Sequence, residues 1–298
     1  MAIALNVVVS LFLLIGLAPL AEGLLRKVKA RLHSRQGPPI TQPYLDIAKL
    51  LMKEDLSPTD NWVWRVAPAL ALGSTMVLAL LTPLGRAPAL EGAGDIVVFI
   101  YFAALAAVAI ILGAFASGNP YGSVGASREM MMLLSVEPVM AISLFVAAYK
   151  AHSMTFSGVM ANHQFSISLA VAGATFLLAL PAQVGKLPFD IAEAEQEIME
   201  GPFIERSGPG LALFKWTLHA RMLIFSALLV SVFVPWPYLL NPGLNLLATL
   251  GKILLVVVLV GVVDVVNPRL RIDQSMHWYS RVIVWGAVVA LLFAIIGA

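Results

Sequence analysis

Long apolar stretches alternate with polar ones along the whole chain. Eight runs stand out, at about 2–22, 66–84, 95–116, 130–149, 167–185, 221–240, 246–266 and 278–297. A bilayer core about 30 Å thick asks about 20 residues of a spanning helix, and each run meets that length. Unpaired backbone polar groups are not tolerated in hydrocarbon, so the runs are predicted as helices. Pro83, Pro138, Pro181 and Pro235 fall at or near predicted ends or within spans that they would kink. The pattern predicts an all-α integral membrane protein with about eight transmembrane helices, organised as one polytopic membrane domain over residues 1–298.

Two polar stretches are long, about 23–65 and 186–220. Inside the first, Leu45, Ala48, Leu51 and Met52 recur at helical spacing between Pro43 and Pro58, which predicts a helix lying in the membrane interface. In the second, Asp190 occupies an N-cap position with Glu193 three residues on, the pattern of a capping box. A helix begun there would set Glu193, Glu197 and Glu200 at i, i+4 and i+7, on one face.

Composition sharpens this picture. Hydrophobic residues make up 60% of the 298 and charged residues 12%. The charged share is about half that of a soluble domain, so most of the surface must face something apolar. The net charge of +2 carries no nucleic-acid signature, and no basic tail or low-complexity segment is present. Cysteine is absent, which removes disulfides, thiolate zinc sites and self-contained iron–sulfur clusters. The five histidines show no metal- or haem-binding spacing. No catalytic residue and no metal ligand is assigned to this chain; electrons, if they pass, pass through another subunit.

The distribution of charge predicts orientation. Sixteen of the nineteen Lys and Arg lie in or beside the first, third, fifth and seventh loops, leaving Arg86 and Lys150 on the other side and Lys252 inside a run. Positive loops stay inside, so both termini are predicted outside. The first run is read as a retained helix, because Met1–Asn6 carries no positive charge and the basic residues follow the run.

Candidate chemistry rests on ionisable groups. Glu137, Lys252 and Asp264 lie within runs, where a charge costs at least about 2.5–3.5 kcal/mol and marks a functional candidate. Lys252 and Asp264 are twelve residues apart, about 18 Å along a helix, too far to pair. The bland alternatives are that Lys252 snorkels outward and that Asp264 caps a neighbouring helix. The acidic row of the fifth loop reads either as a proton entry path or as a solvated helix face. The basic stretch Arg31–Arg35 fits topology or anionic lipid equally. Arg128 follows Gly125-Ala126-Ser127, where a helix is predicted to start.

Several strings together resemble one family: Arg35-Gln36-Gly37-Pro38, Tyr44–Lys53, Gly125-Ala126-Ser127-Arg128-Glu129, Val136-Glu137-Pro138, Lys186–Gly201 (KLPFDIAEAEQEIMEG), Glu205-Arg206-Ser207-Gly208, Lys215-Trp216 and Arg269–Asp273. The chain resembles subunit 1 of respiratory complex I and its counterpart in membrane-bound group 4 NiFe-hydrogenases, including formate hydrogenlyase, over about residues 10–275. The GASRE and EGP-type motifs lean towards the hydrogenase branch; Asp273-Gln274-Ser275-Met276 is more like complex I.

The resemblance implies a subunit that anchors a cytoplasmic redox arm and links its electron transfer to H+ or Na+ translocation. Loops 23–65 and 186–220 would dock the arm, with Arg31, Arg35, Arg128, Glu129, Glu205 and Lys215 at the interface. The implied partners are hydrogenase large and small (iron–sulfur) subunits and antiporter-like membrane subunits. The NiFe centre and iron–sulfur clusters would sit in those partners, and this chain would bind no cofactor. The proton-path candidates are Asp190, Glu193, Glu195, Glu197, Glu200, Glu137 and Asp264, with Lys252 added on its burial in a run. Gln183 stands where relatives carry Glu and cannot ionise. The competing readings are subunit 1 of a quinone-reducing complex I and a stand-alone ion transporter.

Overall fold

The computed structural model describes residues 2–91, 94–237 and 241–297, with side chains described for all of these except 2–5, 242 and 282. The first helix, α1 (Ala2–Leu11), passes through a π-helical turn (Phe12–Gly16) into α2 (Ala18–Leu32). There follow α3 (Gln42–Leu51), α4 (Trp62–Leu81), α5 (Ile96–Phe115), α6 (Pro120–Ala151), α7 (Phe156–Ala161), α8 (Ile167–Gln183) and α9 (Glu195–Ile198). The chain ends with α10 (Gly208–Phe233), α11 (Pro242–Val266), α12 (Ile272–Trp278), a second π turn (Tyr279–Ile283) and α13 (Val284–Ile296).

Among the described residues, seven helices are long and apolar enough to cross a membrane: Asn6–Leu32, Trp62–Leu81, Ile96–Phe115, Pro120–Ala151, Gly208–Phe233, Gly243–Val266 and Ile272–Ile296. The eighth predicted span is α8, which has 17 residues. At 1.5 Å per residue it reaches about 25 Å, the short end of the spanning range. All eight runs therefore correspond to helices. Residues 238–240, assigned by the pattern to the end of the sixth run, and Met1 of the N-terminal stretch lie outside the described residues.

Helix starts follow side-chain caps. Asn61 accepts from the Val63 amide at 3.0 Å, Asn119 from Tyr121 at 2.8 Å and Asn241 from Gly243 at 3.1 Å. Asn119 with Pro120 behind it corrects one expectation. The pattern places the start of the fourth span near Arg128, but α6 starts at Pro120, so Arg128 and Glu129 sit in its third turn. Gly122, Gly125 and Ala126 are not a helix entry; they lie inside the helix and are buried.

Helix α10 is the axis of the bundle. In its most apolar stretch 89% of the residues are buried, against 33% for α11, as expected of a helix ringed by others. Helix α10 touches α2, α3, α4, α6, α7, α8 and α11, while α5 and α13 pack against that ring. Lipid tails are as apolar as leucine, so close fit drives helix association here rather than escape from water. The interfaces accordingly use alanines with no exposed surface, such as Ala71, Ala107, Ala172, Ala220, Ala227 and Ala287. Large side chains point the other way: Phe12, Leu134, Leu247, Leu255, Trp285 and Ile295 are exposed around the outside. This belt is too apolar for water and matches a bilayer.

Polar contacts segregate to the two ends of the bundle. At one end Arg86 donates to the Asn6 side chain at 3.0 Å, and the Ile96 amide to Met154 at 3.0 Å. At the other, the first and fifth loops meet: the Leu56 amide donates to Ser207 Oγ at 3.1 Å. The buried Arg206 donates to the Trp64 carbonyl at 2.7 Å and stacks 3.4 Å over the Trp64 ring. Two loops far apart in sequence thus form one continuous surface. The predicted interfacial helix is α3, with Pro43 in its first turn.

Candidate functional site

The predicted acidic helix of the fifth loop does not form. Only the four residues of α9 are α-helical, and Met199, Glu200 and Gly201 follow in left-handed backbone (φ 50°, 67° and 47°), Gly201 opening a single 3₁₀ turn to Phe203. Asp190 lies in irregular backbone and caps no helix. The apolar residues of the segment account for the difference. Phe189, Ile191, Ala192, Ala194 and Ile198 are all buried, a spacing that no single helical stripe satisfies. The backbone turns on itself to bury them, and the carboxylates leave in different directions.

Each carboxylate then meets a different partner. Asp190 accepts from Arg269 at 2.7 Å, Glu197 from Arg128 at 2.6 Å, and Glu200 stands 3.9 Å from Lys215. Glu195 is exposed. Glu193 is half-buried near Asp190 and Glu129, and burial with those two negative neighbours pushes its carboxyl up to about 8. Burial also raises Asp190, against the pull of the Arg269 guanidinium. One oxygen of Asp190, Oδ1, is buried with no hydrogen-bond partner.

The loop is seated on α6 through two glycines. A Cβ on Gly125 would lie 2.8 Å from the Gly201 Cα and 2.6 Å from Pro202 Cδ. A Cβ on Gly201 would lie 2.2 Å from the Ala192 carbonyl oxygen. Only glycine permits this approach, and Gly201 also needs its positive φ. The Gly125 and Gly201-Pro202 strings are two halves of one contact.

Charged groups on α2, α10 and α11 complete the layer. Glu22 on α2 is buried and accepts from Lys186 at 2.9 and 3.1 Å, with Arg26 at 3.6 Å. Asp264 on α11 pairs with Lys29 and accepts from the Leu187 amide at 3.0 Å. It therefore holds the turn after α8 through a loop amide rather than capping a helix. His219 on α10 is buried within electrostatic reach of Glu22 and Lys186. Glu22 is absent from the motif-based candidates, yet it is the sole acidic residue among the first 45, a signal that marks it.

Deeper in the bundle, Arg221 on α10 is buried and donates to the Gln183 carbonyl oxygen at 2.9 Å. Arg221 acts electrostatically on both Glu129 and Glu137 of α6. Glu137 Oε1 is buried without a partner. It faces a cavity of about 20 Å³ shared with Gln183, Phe99, Met140 and Phe225, which has room for about one water molecule. Gln183 meets Arg221 through its backbone carbonyl, a contact independent of side-chain type.

Other predicted residues stand apart. Lys252 lies ten residues into α11, in its N-terminal half, and donates to the Val234 and Trp236 carbonyls at 2.8 and 3.1 Å, closing the C-terminal end of α10. Arg31 and Arg35 are exposed. Glu205 accepts from Asn119 at 2.5 Å. Among the described residues, no group of three or more His, Asp or Glu side chains is placed to hold a metal ion.

The NADH dehydrogenase family profile matches residues 4–295. Hydrogenase-4 component C of Escherichia coli (strain K12) is 37% identical over 265 residues, covering 85% of this chain and 84% of that protein. Formate hydrogenlyase subunit 4 of the same organism is 34% identical over 295 residues, covering 94% and 96%. An NADH-quinone oxidoreductase subunit of Geobacter metallireducens is 31% identical over 294 residues, covering 90% and 87%. A chain of the membrane-bound sulfane sulfur reductase, an archaeal respiratory membrane complex, superposes with a TM-score of 0.91 at 25% identity, covering 99% of this chain and 100% of that one.

Proposed function

This chain belongs to the NADH dehydrogenase family, and from that membership we propose that it is the membrane-anchoring, ion-coupling subunit of a group 4 NiFe-hydrogenase or formate hydrogenlyase-type complex. The hydrogenase branch is favoured by the 37% and 34% identity to hydrogenase-4 and formate hydrogenlyase components, against 31% to a quinone oxidoreductase subunit. The joined surface of loops 23–65 and 186–220 docks a redox arm of large and iron–sulfur subunits. Electron transfer through the NiFe centre and the clusters occurs in those partners, and antiporter-like subunits lie alongside in the membrane.

One observation carries the coupling reading: ionisable groups continue from the docking surface into the bundle. Asp190 and Glu193 lie just below the surface, Glu129 and Arg221 are next, and Glu137 faces the deep cavity. A charge arriving in the redox arm changes the cost of ionising Glu193, whose carboxyl is poised at about 8. The proton it gains or loses alters the field at Glu129 and Arg221, and that change reaches Glu137. A lone carboxylate is costly among apolar side chains, so Glu137 answers by exchanging a proton rather than by bearing a charge.

The test is Glu137→Gln in the chain purified with its partner subunits and reconstituted in liposomes. Assembly should survive, because the shape is kept, while ion translocation falls by about a hundredfold, the scale of a lost proton-transfer group. Wild-type translocation in the assembled variant removes Glu137 as a carrier and the inner half of the route with it. Translocation by the wild-type chain without partners would favour a stand-alone transporter instead.

A further inference from the structure

A second polar cavity, of about 220 Å³, opens between α2, α3 and α10 and plays no part in the route above. Its charged lining is Arg26, Asp46, Lys49, Lys53 and Lys215, with His219 beside them. Arg26 is already neutralised, at 2.9 Å from Asp46 and 3.6 Å from Glu22. Among the described residues Lys49 and Lys53 have no ion pair, and Lys215 reaches Glu200 only at 3.9 Å, the outer limit of one. The lining thus sets four cations against one carboxylate, Asp46, and among the described residues Lys49 and Lys53 stand without counter-charges. His219 is only 8% exposed, and its Nδ1 is buried with no hydrogen-bond partner.

We propose that this cavity binds the phosphate headgroup of an anionic phospholipid. Three features select that occupant. First, the charge is complementary, since basic pockets between helices at the membrane surface hold anionic headgroups. Second, the volume lies below the roughly 300–1,000 Å³ of a pocket that encloses a whole small-molecule ligand, so the site fits a headgroup and leaves the acyl chains outside. Third, the chains have somewhere to lie. On α3, Leu45 is 59% exposed and forms a stripe with Ala48 that Met52, 90% exposed at the C-cap, continues at i, i+3 and i+7. Lys49 follows Leu45 by four residues and Lys53 follows Lys49 by four, so the stripe runs beside the basic edge. An interfacial helix with an apolar stripe next to a row of lysines suits a lipid better than a soluble anion.

The proposal is tested on the complex as it co-purifies in mild detergent, stripped of lipid and followed by thermal unfolding. Phosphatidylglycerol should raise the unfolding midpoint in a saturable manner, while phosphatidylcholine and inorganic phosphate at the same concentration should not. Lys49→Gln with Lys53→Gln alters two exposed side chains without ion pairs, and should require roughly thirtyfold more phosphatidylglycerol for the same shift. If that variant does not assemble, Lys49→Arg with Lys53→Arg keeps the charge and must bind phosphatidylglycerol as the wild type does; loss of binding there overturns the proposal. An equal response to phosphatidylglycerol and phosphatidylcholine overturns it, as does an unchanged requirement in the Gln variant. An equal response to inorganic phosphate overturns lipid as the source. A quinone found in the complex in place of phospholipid, and displaced by the Gln substitutions, assigns the cavity to that ligand and overturns the proposal as well.

Discussion

Glu22 and Lys186, 164 residues apart in sequence, form a buried ion pair of 2.9 Å that ties α2 to the turn after α8. Their side chains are 8% and 21% exposed, so neither can exchange its partner for bulk water. Removing one member of such a pair leaves the other desolvated, at a cost of about 3–5 kcal/mol. Glu22→Gln should therefore lower the unfolding midpoint of the purified chain markedly. Glu22→Gln combined with Lys186→Met should recover most of the loss, because no lone charge remains. Equal destabilisation by the single and double variants would show that the pair contributes no such coupling.

Glu193 makes stability depend on pH. Its carboxyl ionises at about 8 in the folded chain and near 4.5 when unfolded. Between those values the folded state holds a proton that the unfolded state has released. Stability therefore falls as pH rises through this window, with a slope of up to about 1.4 kcal/mol per pH unit. Chemical or thermal unfolding from pH 5 to 8.5 should show the decline, and Glu193→Gln should flatten it. Identical profiles for the two proteins would remove Glu193 as the titrating group.

The sixteen-to-two charge asymmetry predicts that both termini face outward and the docking surface inward. Since cysteine is absent, single cysteines can be placed without background. Ser57 and Gln164 are both exposed and lie in loops at opposite ends of the bundle. An impermeant maleimide should label Gln164→Cys in intact cells and reach Ser57→Cys only after lysis. Labelling of both from the same side would reject the arrangement.

The bundle was legible because membrane spans are written in local composition. A span needs only its own apolar run, so eight runs led to eight helices, and α3 emerged from a local stripe of four residues. The charged layer was legible in its inventory and not in its wiring. Carboxylates at i, i+4 and i+7 suggested a helix, but Phe189, Ile191, Ala192, Ala194 and Ile198 decided the backbone, and their burial depends on neighbours distant in sequence. Glu22 and Lys186 could not be paired by reading either loop alone. The Arg221–Gln183 contact uses a main-chain carbonyl, which no residue pattern reports. Lys252 counts as a functional candidate because it lies in an apolar run, and its bonds to the Val234 and Trp236 carbonyls at the end of α10 are partners that no local composition reports.

The close seating of Gly201 on Gly125 has a mechanical consequence. No side chain lies between the two backbones to yield, so the contact has no slack. Packed interiors transmit displacement instead of absorbing it. A push on the fifth loop from the docked side is delivered to the second turn of α6, as a hand moves the short arm of a lever. Glu129 and Glu137 ride on the same rod, about one and three turns further along. In the coupling proposed above, the loop would act on the deep carboxylate by stroke as well as by charge, and a methyl group at either glycine would loosen the hinge on which that stroke depends.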